Sequence, residues 1–385
     1  MIVKKDAPFE VAMIELVCAH GGMDYYDFSL CKGLMNAGVG VRLYTSEAGP
    51  LLPQGLKVIE SFKGIFGKGN ALIRGLKWFM ALRASLSDAR KSGSKLTHIH
   101  FFDTGVMEYL TVRLARSYGL KVVATVHDVE SFHKKRSRGF SSRVLGSVDG
   151  IIVHNEVSRA ETLKLLSGKG VRLAVIKQGH FLEYIGKKRE KAALRAELGL
   201  ALDAPLFLFF GQIKKVKGLD VAIRAMGELK KSVPQARLLV AGRPWKDDAA
   251  YYEALINEVG VAANVIWHKG YVPQDRVDLY YYACDAVVQP YRRIYQSAVL
   301  LMAMSYGCPV IVSDLPGMTE VVKDGENGYV FPDGDHAAMA DAMKGVIDNP
   351  ERTGEIAACG LEYVKRHYDW DSIGRKTAEF YKTIA

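Results

Sequence analysis

The chain alternates short apolar runs with stretches of helical periodicity, and this alternation occurs twice along its length. Strands that alternate with helices form βαβ units, and such units build parallel sheets covered on both faces. The runs that we interpret as strands span residues 10–18, 39–45, 56–62, 96–102, 121–126 and 150–153 in the first half, and 206–210, 236–241, 264–267, 286–289 and 309–312 in the second. The pattern therefore predicts two parallel sheets.

The length of 385 residues also favours two domains, since one domain takes roughly 150 residues. We predict an α/β fold of two doubly wound, Rossmann-like domains that face a cleft. The predicted boundaries are 1–182 for the first domain, 183–204 for a charged linker, 205–365 for the second domain and 366–385 for a C-terminal helix that packs back on the first domain. Ligands of such sheets bind beyond the carboxyl ends of the strands, so the candidate functional residues are those that follow strands.

The composition is that of a globular protein, with 49% apolar and 24% charged residues, which excludes disordered, collagen-like and disulfide-scaffold proteins. No apolar run reaches the length of about 18 residues that a transmembrane helix requires. The N-terminal residues are charged and then read as a strand rather than as a signal peptide. The five cysteines are scattered and lack metal-ligand spacing, which predicts a protein of the reducing cytoplasm.

A segment rich in glycine and lysine follows the predicted strand at 206–210. It runs from Gly211 to Gly218 with the sequence GQIKKVKG, directly before a predicted helix. A glycine at a strand end lets a ligand approach the backbone closely, and Lys214 and Lys217 can meet phosphate oxygens beside the helix N-terminus. An ordinary surface loop with solvated lysines explains the segment equally well.

A second candidate phosphate site lies where an apolar helix begins at Gln296, Ser297 and Ala298. Small residues at a helix start expose free N–H groups to an anion such as a diphosphate. The alternative is a buried core helix in which Ser297 serves as a simple N-cap, and the two roles are compatible.

Histidines follow several predicted strands. His127 directly follows one, where a neutral imidazole can hydrogen-bond a substrate hydroxyl, although a structural role is equally plausible. His98 and His100 alternate along a strand as metal ligands can, but no carboxylate or third histidine stands at a convincing spacing, so we favour structural roles for them. His154 and His180 also follow apparent strands.

The loop after the first strand contains His20, Gly21 and Gly22. It matches neither G-x-G-x-x-G nor G-x-x-x-x-G-K-[ST], so neither a dinucleotide-binding fold nor a P-loop ATPase is supported. A glycine pair that leaves room for a bound acceptor and an ordinary tight turn are equally consistent with it.

The motifs of the second half, taken in order, resemble the GT-B-fold glycosyltransferases of family 4, the large retaining group. The segments that carry the resemblance are FFGQIKKVKGLDVAIRAM, ARLLVAG, VIWHKGYVP, YYYACDAVVQPY, QSAVLLMAMSYGCPVIVSDLPGMTEVV and DGENGYVFPDGD. Each segment is weak alone, whereas their order and spacing specify the fold and the superfamily but not the sugar. The resemblance covers nearly the whole chain and is strongest over 206–332.

The resemblance implies that the loop after the first strand of the second domain binds the donor. The family motif G-R-x-x-x-x-K-G matches Gly211 to Gly218, which places Lys217 on the donor diphosphate. Gln212 stands at the family arginine, and Lys214 would supply the missing cation.

The resemblance also implies backbone contacts to the nucleotide. The residues concerned are Gly270, Tyr271 and Val272, which would flank the base, and Ser297, Ala298 and Val299, whose N–H groups would bind the phosphates. His127 matches the family histidine that contacts the donor sugar, and Gly21 and Gly22 match the glycine loop near the reacting phosphate.

The sequence departs from the family at the glutamate pair E-x7-E. The register of the A-M-x-x-G motif places the pair at Ile294 and Met302, and neither side chain can accept a hydrogen bond from a sugar or ribose hydroxyl. We nevertheless predict that Met302 lies in the donor site. Some family members with a Q-S-G-V-L-type helix also lack the pair, so we expect a divergent subgroup rather than an inactive protein.

The resemblance implies transfer of a sugar, of the hexosyltransferase type, from a UDP- or GDP-linked donor with retention of configuration. His127, Lys217 and Lys214 would be the catalytic residues, since the lysines and the helix dipole stabilise the leaving diphosphate. The chain has no convincing D-x-D motif, so we expect no obligatory metal, and no cofactor besides the nucleotide-sugar co-substrate. The alternatives are a nucleotide-sugar epimerase of the same fold and a non-catalytic protein that binds sugar nucleotides.

The excess of positive charge lies in the first half. Residues 1–180 contain 26 Lys and Arg against 15 Asp and Glu, whereas residues 181–385 contain 26 against 27. Residues 62–95 combine eight basic residues with one acidic residue and many apolar ones, and residues 131–148 are basic without any acidic residue. A basic amphipathic segment of this kind can lie in a membrane interface.

The first domain of this fold binds the acceptor, so we predict a phosphorylated or lipid-linked acceptor at an anionic membrane surface. The predicted protein is cytoplasmic, peripheral on the inner face of the membrane, and acts in polysaccharide or glycolipid assembly. The alternative for 62–95 is an ordinary core helix with a solvated basic face. Nucleic acid is disfavoured as a partner, because the chain has no recognisable nucleic-acid-binding fold.

Overall fold

A computed structural model describes residues 9–17, 23–49, 52–67, 69–129, 137–245 and 249–385. The chain divides into two compact units. Unit 1 consists of Met1–Gly179 and Tyr368–Ala385, and unit 2 consists of His180–His367. Each unit combines a parallel sheet with helices.

The sheet of unit 1 has seven strands among the described residues, in the order β3-β2-β1-β4-β5-β6-β7, and all its pairs are parallel. The strands are β1 (Glu10–Ile14), β2 (Gly40–Tyr44), β3 (Lys57–Ile59), β4 (Leu96–Phe101), β5 (Lys121–Val126), β6 (Gly150–Val153) and β7 (Arg172–Val175). The helices are α1 (Met23–Asn36), α2 (Ala71–Lys91), α3 (Val106–Ser117), α4 (Arg138–Leu145), α5 (Glu156–Leu166) and, from the C-terminus, α14 (Trp370–Ile384). The order reverses between β1 and β4, which is the doubly wound arrangement.

The central strands of unit 1 are buried over nearly their whole length. Strands covered on both faces read as continuous apolar runs rather than as alternating ones, which is why β1 and β5 are visible in the sequence. Strand β4, with the sequence LTHIHF, is the exception, since it buries two histidines.

Helices α1 and α14 of unit 1 approach each other at two glycines. A Cβ atom added to Gly33 would lie 2.3 Å from the carbonyl oxygen of Trp370, and one added to Gly374 would lie 2.1 Å from the carbonyl carbon of Gly33. Only backbone without side chains fits at this crossing, so the two glycines fix the place where the C-terminal helix packs on unit 1.

The sheet of unit 2 has six parallel strands among the described residues, in the order β10-β9-β8-β11-β12-β13. The strands are β8 (Leu206–Phe210), β9 (Arg237–Ala241), β10 (Val265–His268), β11 (Ala286–Gln289), β12 (Val310–Ser313) and β13 (Tyr329–Phe331). The helices are α6 (Lys191–Glu197), α7 (Leu219–Leu229), α8 (Ala249–Glu258), α9 (Val277–Ala283), α10 (Ala298–Ser305), α11 (Pro316–Thr319), α12 (His336–Asp348) and α13 (Pro350–His367).

The charged segment 183–204, which the sequence suggests as a linker, contains the packed helix α6. Arg195 of this helix is buried and donates hydrogen bonds to the carbonyl oxygens of Ala283 and Ala204, both at 3.0 Å. Its guanidinium also pairs with Asp285 at 2.8 Å. These contacts attach the segment to unit 2.

The α/β class and the two parallel sheets are confirmed, and each predicted run contains a strand. Strands β7 and β13 are not among the predicted ones. Both lie at a sheet edge and have four and three residues.

The crossing of α1 and α14 gives a stability prediction. We expect Gly374→Ala to lower the free energy of unfolding of unit 1 by about 1–3 kcal/mol, because the added methyl group overlaps the backbone at Gly33. The control is Gly75→Ala in α2, where an added Cβ meets no atom within 4 Å and alanine should be neutral or stabilising. Calorimetry of both variants provides the test, and equal melting temperatures would contradict the prediction.

Candidate functional site

The loop after β8 and the start of α10 meet at Gly211 in unit 2. Gly211 has a φ of +95°, and a Cβ added there would lie 3.4 Å from Lys217 Nζ and 3.5 Å from Val299 Cγ2. Gly218 has a φ of +67°, and its added Cβ would lie 1.8 Å from the carbonyl oxygen of Pro290. These two positions require glycine, and together they hold the Lys217 ammonium beside the first turn of α10.

Neighbouring loops extend this arrangement along the sheet edge. A Cβ added to Gly242, after β9, would lie 2.0 Å from the carbonyl oxygen of Gly211. Trp267 of β10 donates its indole N–H to the carbonyl oxygen of Gly242 at 3.0 Å. The loops after β8 and β9, strand β10 and helix α10 therefore form one connected region at the carboxyl ends of the strands.

The start of α10 carries the predicted cap. Ser297 Oγ accepts a hydrogen bond from the N–H of Leu300 at 3.1 Å and lies 3.0 Å from Gln289 Oε1, to which it can donate. Ala298 is exposed and Val299 half-buried. The first N–H groups of a helix have no acceptor within the helix. The cap is therefore compatible with the predicted anion site, which stays a prediction.

The ammonium group of Lys217 has a lowered pKa because of its burial. The half-buried side chain lies with its ammonium 5.5 Å from the centre of the Tyr291 ring. Burial lowers the pKa of Lys217 to about 8. A bound anion would favour the charged ammonium and raise this pKa again.

The remaining predicted donor residues surround this region less closely. Gln212 and Lys214 are half-buried in the same loop as Lys217. Gly270 follows the edge strand β10 with a φ of +159°, Tyr271 is exposed and Val272 is half-buried. The N–H of Lys217 donates a hydrogen bond to the carbonyl oxygen of Lys214 at 2.8 Å, whereas Gly270, Tyr271 and Val272 follow a strand that lies two places from β8 in the sheet.

Ile294 and Met302 are both half-buried, before and within α10. The structure brings them to the same helix whose first turn meets Gly211. Neither position can offer a carboxylate to a ligand.

His127 lies within a row of buried histidines at the carboxyl ends of three strands of unit 1. Its Nε2 lies 3.4 Å from His100 Nδ1, and its Nδ1 lies 3.4 Å from His154 Nε2. Its ring stacks on Phe102 with the centres 4.6 Å apart, and Tyr26 meets it edge-on. Burial holds the pKa of His127 well below its usual range, so the ring is neutral at neutral pH.

His98 lies deeper and has a structural environment. Its Nδ1 lies 2.6 Å from the Tyr381 hydroxyl of α14, and its Nε2 lies 2.7 Å from Thr125 Oγ1. Both ring nitrogens are thus used inside unit 1, in agreement with the structural role that we favour from the sequence.

The sequence gives no indication of the carboxylates that meet His100. Glu15 follows β1 and Asp27 lies in α1, and both are buried. Their oxygens lie 3.2 Å and 3.5 Å from His100 Nδ1. Strand pairing between β1 and β4 brings Glu15 to His100, so spacing along the sequence could not have revealed this cluster.

Gly21 and Gly22, the predicted glycine loop, lie outside the described residues, as do residues 131–136 of the basic stretch 131–148. The predicted role of the glycine pair stays a prediction.

Two protein-family descriptions match the chain. The family description "Glycosyl transferases group 1" matches residues 190–358, and "Glycosyltransferase Family 4" matches residues 20–183. The chain belongs to the family 4 glycosyltransferases. It is an enzyme of the transferase class with the GT-B fold.

The curated relatives are distant but match over nearly their full length. The D-inositol 3-phosphate glycosyltransferase of Corynebacterium urealyticum is 24% identical over 390 residues, which covers 94% of this chain and 91% of the relative. That of Xylanimonas cellulosilytica is 25% identical, with the same coverage.

Solved structures show the same fold. Sucrose-phosphate synthase from Thermosynechococcus elongatus has a TM-score of 0.76 at 21% identity, covering 97% of this chain and 98% of that one. Anabaena HepE in complex with UDP-glucose has a TM-score of 0.77 at 17% identity, covering 97% and 99%. At this identity the likeness concerns the fold alone.

The buried histidines of unit 1 predict a dependence of stability on pH. Burial lowers the pKa of His154 to about 4 and that of His98 to about 3. Because the unfolded chain binds protons near the ordinary pKa of about 6.5, the folded state loses stability as the pH falls from there towards 4. Each of these histidines should stabilise the protein by roughly 2 kcal/mol less at pH 5 than at pH 7.

Chemical denaturation of the protein between pH 7.5 and pH 5 tests this expectation. His154→Asn should reduce the slope of stability against pH by about one proton in this window, even if it lowers stability at pH 7. A stability that stays constant from pH 7.5 to pH 5 would contradict the prediction.

Proposed function

We propose that this chain transfers a sugar from a UDP- or GDP-linked donor to a phosphorylated or lipid-linked acceptor, with retention of configuration. The observation that carries the donor half of this proposal is the convergence of Lys217 and the start of α10 on Gly211. A cation beside a helix N-terminus suits a diphosphate, since both stabilise negative charge. UDP-glucose in the HepE complex supports a uridine donor by analogy of fold.

In the proposed reaction, negative charge grows on the leaving nucleoside diphosphate. Lys217, assisted by Lys214 and the dipole of α10, stabilises that charge where it develops. The family expectation for retention is a front-face displacement, in which the acceptor hydroxyl attacks the sugar on the face from which the diphosphate leaves. The leaving phosphate takes the acceptor proton, and no metal is assigned a role.

His127 receives the donor sugar in this proposal. Its ring is neutral, and its two nitrogens face His100 and His154 at 3.4 Å, so a sugar hydroxyl would replace one of these two contacts. The surrounding aromatic rings fix the orientation of the imidazole. This arrangement suits recognition of a sugar hydroxyl better than proton transfer, because the row of neighbouring histidines opposes a positive charge on the ring.

The proposed class of acceptor is inferred from the residues exposed on α2. The outer face of this helix is an exposed apolar surface, formed by Leu72, Ile73, Leu76, Phe79 and Met80. Lys77, Arg83 and Lys91 are exposed on the same helix. Apolar side chains flanked by cations fit an anionic lipid surface, where each nearby cation adds about 1 kcal/mol.

We therefore propose a peripheral enzyme on the inner face of the membrane, in polysaccharide or glycolipid assembly. None of the helices in the described parts of the chain combines the length and apolarity needed to cross a membrane. The names of the curated relatives point to an inositol phosphate as an alternative acceptor.

Replacement of Lys217 tests the donor site. Lys217→Ala should weaken binding of UDP or GDP by about 10- to 100-fold, the effect of losing a hydrogen bond to a charged group. Isothermal titration calorimetry measures this, with Lys215→Ala as the control, because Lys215 is exposed in the same loop. Unchanged affinity in Lys217→Ala would contradict the assignment.

Turnover separates the alternatives. A transferase releases nucleoside diphosphate from its nucleotide sugar only when an acceptor is present. An epimerase of this fold needs no acceptor, and a non-catalytic protein binds the nucleotide without turnover.

Membrane binding is tested by flotation with phosphatidylglycerol vesicles. Leu72→Ser combined with Leu76→Ser should lower the bound fraction at least tenfold, because two exposed leucines no longer enter the lipid. Leu163→Ser on α5 is the control, since Leu163 is also an exposed leucine of unit 1. Equal losses in the control, or no binding at low salt, would refute the membrane surface.

A further inference from the structure

A cavity of about 410 Å³ lies under the first turns of α2, beyond the carboxyl ends of β1 and β4. Trp78 and Leu82 of α2 are buried and line it, together with Phe101 at the end of β4 and Phe102 after it. Nearer the start of the helix, the lining positions are Ala71 and Gly75. These four positions of α2 fall on one face, with the spacing i, i+4, i+7 and i+11. The cavity therefore exists because the first two of them carry almost no side chain.

Steric crowding does not explain why position 75 of α2 is a glycine. A Cβ added to Gly75 would meet no atom within 4 Å. Glycine inside a helix is less stable than alanine at the same position. A larger residue would fit here and stabilise α2, but it would reduce the cavity, so Gly75 keeps the space open at a cost to the helix.

Two buried polar groups with unused hydrogen-bonding atoms line the same cavity. The His100 side chain has no exposed surface, and its Nε2 has no hydrogen-bond partner among the described residues. Arg74 donates from Nη1 to the carbonyl oxygen of Gly67 at 2.6 Å, while its buried Nε lacks a partner there. Polar atoms of this kind are costly unless a ligand or water satisfies them.

The entrance of the cavity is apolar. Phe66 and Met107 line it and are 47% and 46% exposed, so they form a rim that solvent reaches. Leu72 and Leu76 are exposed on the same turns of α2 as Gly75. The cavity thus joins the buried imidazole of His100 to an apolar rim beside the outer face of α2. The half-buried Arg74 lies near this rim, because it bonds Gly67 next to Phe66.

We propose that this cavity binds the acceptor, and that the acceptor is an amphipathic glycoside. Its hydroxyl-bearing head lies against His100 and Arg74, and its alkyl chain leaves past Phe66 and Met107. The inference rests on the proposed function, because it names the chemistry of the acceptor that unit 1 binds. An acceptor without an alkyl chain, such as a free inositol phosphate, would leave the apolar walls unused.

Titration calorimetry with methyl, hexyl and octyl β-D-glucosides, each below its micellar concentration, tests the proposal without the natural acceptor. Affinity should rise by up to about fourfold per methylene group that the apolar wall buries. Gly75→Leu should lower octyl glucoside affinity at least tenfold, because the new side chain occupies the cavity. Gly354→Leu should bind like the unaltered chain, since Gly354 lies on α13 of unit 2 and an added Cβ there meets no atom within 4 Å.

Arg74→Met tests the proposed contact between Arg74 and the hydroxyl-bearing head of the acceptor. It should weaken all three glucosides by a similar factor, about tenfold, while the dependence on chain length remains. Adsorption to the outer face of α2 would instead respond to Leu76→Ser and not to Gly75→Leu. That result, or equal affinity for the methyl and octyl compounds, overturns the proposal.

Nucleotide binding distinguishes failure of this inference from failure of the proposed function. If UDP and GDP bind through Lys217 but Gly75→Leu binds octyl glucoside normally, the cavity assignment falls and the donor site stands. If no nucleotide binds while the glucosides show the expected pattern, the cavity stands and the glycosyltransfer proposal falls.

Discussion

Parallel pairing brings the carboxyl ends of neighbouring strands to one edge of each sheet, and every candidate functional residue described above depends on that constraint. In unit 2 it brings the loops after β8 and β9 close enough for Gly211 and Gly242 to touch through their backbones. In unit 1 it aligns His100, His127 and His154 on three adjacent strands. The helices then add what the strands cannot, a partial positive charge at α10 and an apolar wall at α2.

The two units use burial in different ways. In unit 2 burial only lowers the pKa of Lys217 to about 8, so the ammonium is still mostly charged at neutral pH and gains further when an anion binds. In unit 1 burial holds the histidines neutral, with the pKa of His154 lowered to about 4. Unit 2 therefore offers charge to a charged ligand, whereas the histidines of unit 1 offer oriented dipoles to a neutral one. In the proposed function, this contrast suits a diphosphate bound by unit 2 and sugar hydroxyls bound by unit 1.

The sequence predicted the fold class and the loop from Gly211 to Gly218 because both are written in consecutive residues. It missed Glu15 and Asp27 beside His100, because their meeting depends on the pairing of β1 with β4 and on the position of α1. It also identified residues 62–95 as basic and amphipathic without separating the two faces. Trp78 and Leu82 face inward, while Leu72 and Leu76 face outward, and only the packed helix shows which is which.

Helix α2 departs from ordinary packing in two ways, and both favour the same kind of ligand. Its outer face exposes leucine, isoleucine, phenylalanine and methionine that a solvated helix would replace with polar residues. Beside the buried Trp78 and Leu82 it lines a cavity, and the two lining positions nearest the helix start, Ala71 and Gly75, are exposed and carry almost no side chain. Each departure lowers the stability of the isolated protein, and each is reversed by the same kind of partner. An amphipathic acceptor at a lipid surface would cover the outer face and fill the inner one, whereas a free polar sugar would do neither.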